Sequence, residues 1–165
     1  MARALIVACG CRGRALGARL AAEGWAVRGT SRDPERLGAI EAAGLEAAPA
    51  DPSRPGTILD LVADVAVICW LLGSAAGPEE EVARVHGEQL EHLLLRLVDT
   101  PVRGFAYEAA GSADPADLRR GTEIIEQAGA TWRIPVARID ADPADHARWL
   151  DAAVDAAQRL LATSN

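Results

Sequence analysis

The stretch that decides the fold is ALIVACGCRGRALGARLAAEGWAVRGTSR, residues 4–32. An apolar run, 3–8, reads as a buried strand. A glycine-studded turn follows, then a helical pattern over 13–23 with Ala15, Leu16, the Arg19 stem and Leu20 on one face. A second strand, 25–30, ends in Thr30 and is followed by Ser31 and Arg32. Within the turn, Gly10 lets backbone approach a pyrophosphate, and Gly13 and Gly17 let the helix lie close to the sheet. The helix N-terminus offers unpaired N–H groups to an anion. Ala8 stands where a first glycine would make the tight turn, so the backbone there is expected to keep φ negative.

The pattern repeats along the chain. Asp33-Pro34 starts a second helix that runs to Ala43 and stops at Gly44. Residues 45–50 form a weak third strand, 56–63 a short helix and 65–72 a fully buried fourth strand. Helical spacing covers 79–99, strand five is 102–109, and a helix covers 115–128. Strand six is 131–139, an edge strand by Pro135. A closing helix over 143–162 has Asp142 as its N-cap. Alternating strands and helices mean a parallel sheet covered on both faces. The expected fold is α/β: one doubly wound, Rossmann-like domain over 1–165 with strand order 3-2-1-4-5-6. Ligands in such sheets bind beyond the strands' carboxyl ends at the switch point between strands one and four. Leu71, Leu72 and Gly73 therefore join Gly10, Cys11, Arg12 and Gly13 as candidate cofactor contacts.

Several motifs are similar to the NAD(P)-binding domains of the short-chain dehydrogenase/reductase superfamily, above all its atypical and extended branches. Residues 8–36 resemble that family's first strand, turn, helix and second strand. APADPS, 48–53, resembles the segment after strand three, where the resemblance implies that Asp51 meets the adenine. GATWRIPVARI, 129–139, resembles the sixth-strand segment with its Arg-x-Pro. The family's usual Tyr-x-x-x-Lys is impossible here, because all 17 basic residues are arginine. The extended branch also has a substrate-binding region after strand six, where here one helix follows. Tyr107 and Ser112, near the end of strand five, are the candidate catalytic groups. A tyrosine capping a buried strand end with its hydroxyl bonded is the structural alternative.

Cofactor choice turns on an acid. An NAD site carries Asp or Glu about twenty residues past the turn to accept the ribose 2′-hydroxyl. That position falls on Thr30 or Ser31, and Arg32 follows. Arg12 and Arg32 with those two hydroxyls suit a 2′-phosphate. NADP is therefore expected ahead of NAD. The resemblance implies an NAD(P)-binding protein of oxidoreductase ancestry; the competing readings are a non-catalytic dinucleotide-sensing module and a structural Rossmann domain with an occluded site.

The net charge of −7 argues against nucleic acid or an anionic membrane as partner. No apolar run is long enough to span a bilayer, and the first residues do not read as a signal peptide. A cytoplasmic protein is expected, and the arginine- and alanine-rich composition hints at a bacterial GC-rich genome. Cys9, Cys11 and Cys69 lack metal-site spacing and read as small hydrophobes, with a Cys9–Cys69 redox pair as the alternative. No metal is expected. His86 and His92 are expected to be solvated or capping. Trp25, Trp70 and Trp132 are expected in the core, and Trp149 either packs or pairs subunits. Excess apolar length over 79–99 raises the expectation of a homodimer.

Overall fold

A computed structural model describes residues 1–163. Six parallel strands, β1 (Arg3–Val7), β2 (Ala26–Ser31), β3 (Glu46–Pro49), β4 (Val67–Trp70), β5 (Gly104–Glu108) and β6 (Val136–Ile139), form one sheet. Their order is β3-β2-β1-β4-β5-β6. The helices are α1 (Cys11–Ala22), α2 (Pro34–Ala42), α3 (Pro55–Leu59), α4 (Glu79–Val85), α5 (Glu88–Leu97), α6 (Pro115–Trp132) and α7 (His146–Thr163).

The two-residue period of the strands divides the core. Ala4, Ile6, Cys69 and Ala106 face one side, under Leu16 and Leu20 of α1, Ile40 of α2, and Trp149, Ala153 and Leu160 of α7. Leu5, Val7, Ile68, Trp70, Phe105 and Tyr107 face the other, under Ile58, the α5 leucines and Ile125 of α6. In α1 the buried positions are Gly13, Leu16, Gly17 and Leu20, and Arg19 is exposed rather than part of the packed face. A Cβ on Gly17 would come within 2.5 Å of Leu45, so the close helix–sheet approach depends on that glycine.

Four local expectations are corrected. The helix over 79–99 is two helices, because Gly87 takes φ −129°, ψ −114° and leaves the α region. The Arg120 guanidinium occupies the space a Gly87 side chain would need. Strand six begins at Val136, not 131, because α6 continues through Trp132 and ends at Arg133 in the left-handed conformation (φ 58°). Trp132 is accordingly 45% exposed rather than in the core. Asp142 heads only a turn, taking the Ala144 N–H. The closing helix starts later, with Asp145 accepting from Arg148.

The fourth correction is Ala8. Its φ is +60°, not negative. The turn keeps the left-handed bend that glycine usually supplies, with the Ala8 N–H donating to Thr30 Oγ1 and the Ala8 carbonyl accepting from Gly10. A left-handed non-glycine residue costs about 1–2 kcal/mol, and glycine's larger unfolded-state entropy returns part of that. Ala8→Gly is therefore expected to stabilise the protein by about 0.5–1 kcal/mol, raising Tm by roughly 2 °C. A lower Tm in a thermal melt would contradict the strain.

Candidate functional site

At the carboxyl ends of β1, β2, β3 and β4, and against α4, lies a cleft of about 490 Å³. The turn forms its floor. Gly10 is the N-cap of α1, no side chain caps the helix, and no acid sits in its first turn. The first-turn N–H groups have no intrahelical acceptors. A Cβ at Gly10 would meet nothing within 4 Å, so the backbone there is open to the cleft. A phosphate fits this cradle by both hydrogen bonding and helix dipole.

Thr30, Ser31 and Arg32 form the second wall. Thr30 is fully buried, and its backbone carbonyl and its hydroxyl take the Cys9 and Ala8 N–H groups. It braces the turn. Ser31 Oγ accepts from Asp33 N, and Asp33 caps α2 by accepting from Glu35 N. Arg32 reaches Glu81 of α4 across the cleft, Nη1 to Oε1 at 3.0 Å. Arg36, from the first turn of α2, also lines the cleft. The third wall is Ala50 to Ser53, where Asp51 is folded onto its own loop, accepting from the N–H and hydroxyl of Ser53.

Nine of the ten candidate contacts line this one cleft: Gly10, Cys11, Arg12, Gly13, Ser31, Arg32, Asp51, Leu71 and Leu72. Gly73 does not. Its N–H donates to Glu108 Oε1 at 2.8 Å, and a Cβ there would meet Glu108 and the Ala110 carbonyl. Arg12 is not turned toward Ser31 and Arg32. Its guanidinium carbon lies 5.7 Å from the Trp149 ring centroid, a cation–π distance, and its Nε is 3.9 Å from Glu108 Oε2. Arg36, four residues beyond Arg32, lines the cleft with it and lies 3.8 Å from Asp33, Nε to Oδ2.

The candidate catalytic groups are placed apart from the cleft. Tyr107 is fully buried, and its hydroxyl lies 2.6 Å from His86 Nδ1. Gly121 makes room for that hydroxyl, since a Cβ there would overlap it. His86 Nε2 is 2.8 Å from the Leu72 carbonyl, which can only accept. The imidazole therefore carries its proton on Nε2 and receives the tyrosine's hydrogen bond on Nδ1. Burial lowers the His86 pKa and raises that of Tyr107, so both groups are held neutral. His86 is thus buried rather than solvated, and it stands at the C-cap of α4. His92 is exposed. Ser112 is exposed, and its N–H donates to Ser74 Oγ. Cys9 and Cys69 are free and buried, their thiols pushed up to about 12 by desolvation, while Cys11 is exposed. Among the described residues, no group of three or more His, Cys, Asp or Glu is arranged to hold a metal.

Glu108 is the residue the motifs did not single out. It closes β5 with no exposed surface. Its Oε1 takes the Gly73 N–H and its Oε2 takes the Trp149 indole N–H, both at 2.8 Å. Trp149 is therefore packed within the subunit, fully buried. The only sequence signal was an acid ending an otherwise apolar strand.

No protein-family model and no curated protein matches the sequence. Solved structures do match. A short-chain dehydrogenase/reductase superfamily protein from Agrobacterium tumefaciens with bound NAD shares 17% identity, with a TM-score of 0.68. The match covers 82% of this chain and 48% of that one. The Citrobacter sp. triphenylmethane reductase complexed with NADP(H) shares 18% over the same shares of each chain, with a TM-score of 0.60. The UDP-glucuronic acid 4-epimerase from Bacillus cereus in complex with NAD shares 14%, covering 82% of this chain and 54% of that one, with a TM-score of 0.65. The chain has the fold of NAD(P)-binding Rossmann domains of this type, and it spans about half the length of these structures. Among the described residues, no helix is long and apolar enough to cross a membrane.

Desolvation raises the Glu108 pKa above its ordinary value, against the lowering effects of the Gly73 N–H, Arg12 and Trp149. A carboxyl whose pKa is raised on folding contributes stability below its unfolded pKa, and that stability is lost as pH rises through the folded value. The stability of wild type relative to Glu108→Gln is therefore expected to fall as pH rises above the ordinary glutamate pKa of about 4.3 in denaturant titrations. A flat difference, or one that rises with pH, would contradict the assignment.

Proposed function

We propose that this protein binds a nicotinamide dinucleotide, NADP(H) ahead of NAD(H), through the turn at Gly10–Gly13 and the wall at Ser31–Arg36. The observation that carries the reading is the convergence of an uncapped helix N-terminus with two arginines on one cleft. In this assignment the Gly10, Cys11, Arg12 and Gly13 backbone cradles the pyrophosphate. Ser31, Arg32 and Arg36 hold the 2′-phosphate, and Asp51 lies beside the adenine with Leu71 and Leu72. The cofactor, once bound, would supply hydride chemistry.

Glu81 is the competitor for Arg32. Both side chains are substantially exposed, and an exposed ion pair contributes about 0–1 kcal/mol. A hydrogen bond to a charged phosphate contributes about 1.5–3 kcal/mol. The phosphate therefore displaces Glu81. The reading favours binding over ordinary carbonyl reduction. The fold's usual lysine is absent from the sequence, and Tyr107 is buried with its pKa raised, the opposite of what a proton-donating tyrosine needs. Tyr107 and Ser112 act in this reading as supports of the loops after β4 and β5.

Calorimetric titration is expected to give NADPH an advantage over NADH of about 1–2 kcal/mol, roughly 5- to 30-fold. Arg32→Ala should remove most of that advantage while leaving NADH affinity nearly unchanged. Equal wild-type affinities would remove the 2′-phosphate assignment, and no binding of either would remove the reading itself.

A further inference from the structure

The doubly wound fold consists of two mononucleotide-binding halves, one over β1–β3 and one over β4–β6. In this chain the two halves differ. Among the described residues, the cleft is lined only from the turn, β2 and the start of α2, the loop after β3, the loop after β4, and α4. None of its lining comes from β5, β6 or α7. Two observations account for this.

The first is a plug. Glu108, at the carboxyl end of β5, Trp149 of α7 and Arg12 of α1 are packed together, with Arg12 also lining the cleft. Trp149 and Glu108 are both fully buried and bonded to each other, and Arg12 lies over the indole. The Glu108 carboxylate also grips the Gly73 N–H, so the plug is anchored to the loop after β4.

The second is a seal between the loops after β4 and β5. The Gly73 carbonyl accepts from Ala113 N at 2.9 Å, and Ser74 Oγ accepts from Ser112 N at 3.2 Å. The contact is backbone on backbone. A Cβ on Gly73 would lie 2.2 Å from the Ala110 carbonyl oxygen, and one on Gly111, which has φ +151°, would lie 2.1 Å from the Gly73 carbonyl oxygen. On the other face of the sheet, the His86–Tyr107 pair holds the Leu72 carbonyl in place.

We infer that the site recognises the 2′-phosphoadenosine-diphosphate half of its ligand alone and leaves the nicotinamide half outside the closed second half-site. The inference rests on the reading proposed above and narrows it. The chemical class selected is an adenosine nucleotide with a 5′ phosphate chain and a 2′ phosphate. The nicotinamide adds little affinity because the plug and the seal occupy the surface it would cover. Such a protein binds or presents a dinucleotide by its adenosine end, and the redox ring stays in water.

The test is a titration of the intact protein with NADPH, 2′-phospho-ADP-ribose and nicotinamide mononucleotide, together with the emission spectrum of bound NADPH. The expected result is that 2′-phospho-ADP-ribose binds within fivefold of NADPH, that the mononucleotide does not bind at millimolar concentration, and that dihydronicotinamide emission keeps its position in water. If NADPH binds more than fivefold tighter than 2′-phospho-ADP-ribose, or its emission moves to the blue, the second half-site is open and the inference falls while cofactor binding stands. If neither adenosine ligand binds, the proposed function falls and takes the inference with it.

Discussion

The buried carboxyl group of Glu108 ties together three elements at the carboxyl edge of the sheet. One oxygen takes an N–H from the loop after β4, the other takes the α7 indole, and the α1 guanidinium lies nearby. An acid with no exposed surface is costly unless its lone pairs are satisfied. Here two buried donors satisfy them, which fixes α7, the β4 loop and the start of α1 relative to one another. The Gly10 backbone is open to the cleft, which runs on over the loop after β4 and takes none of its lining from β5, β6 or α7.

The open side depends on a second constraint, at the end of β1. Ala8 is bent into the left-handed region, and the buried hydroxyl and carbonyl of Thr30 hold Ala8 and Cys9 by their N–H groups. That bend turns the chain from β1 into α1 so that the helix begins at the cleft with no side-chain cap. Of the two residues at the ribose-acid position, Thr30 is spent on the turn. Next to it, Ser31, Arg32 and Arg36 leave the wall without a carboxylate of its own from β2.

Much of this was legible in the sequence. Strands buried on both faces appear as unbroken apolar runs, so β1, β4 and β5 and their order could be read directly. The turn was legible because Gly13 and Gly17 sit at spacings that a close helix–sheet packing requires, with Gly10 ahead of them leaving the backbone open. Helix ends were less legible. The break at Gly87 depends on Arg120 coming from a distant helix, and Thr131-Trp132 carries strand-like residue types although α6 runs through it. Glu108 and the direction of Arg12 were not legible at all. Both are set by Trp149, 41 residues beyond Glu108 in the chain, and no local pattern encodes that pairing. His86 is a similar case: its burial follows from Tyr107 and the Leu72 carbonyl, not from its place on a helix face.

The central claim is that the ligand sits on the Gly10 side of Glu108 and not beyond it. Amide and indole chemical-shift mapping of the isotope-labelled protein titrated with NADPH addresses this directly. The account predicts large shifts at the Gly10, Cys11, Gly13, Ser31 and Arg32 amides, with the Gly73 amide and the Trp149 indole N–H nearly still. Shifts concentrated at Gly73 and Trp149, with the Gly10–Gly13 amides unmoved, would contradict it.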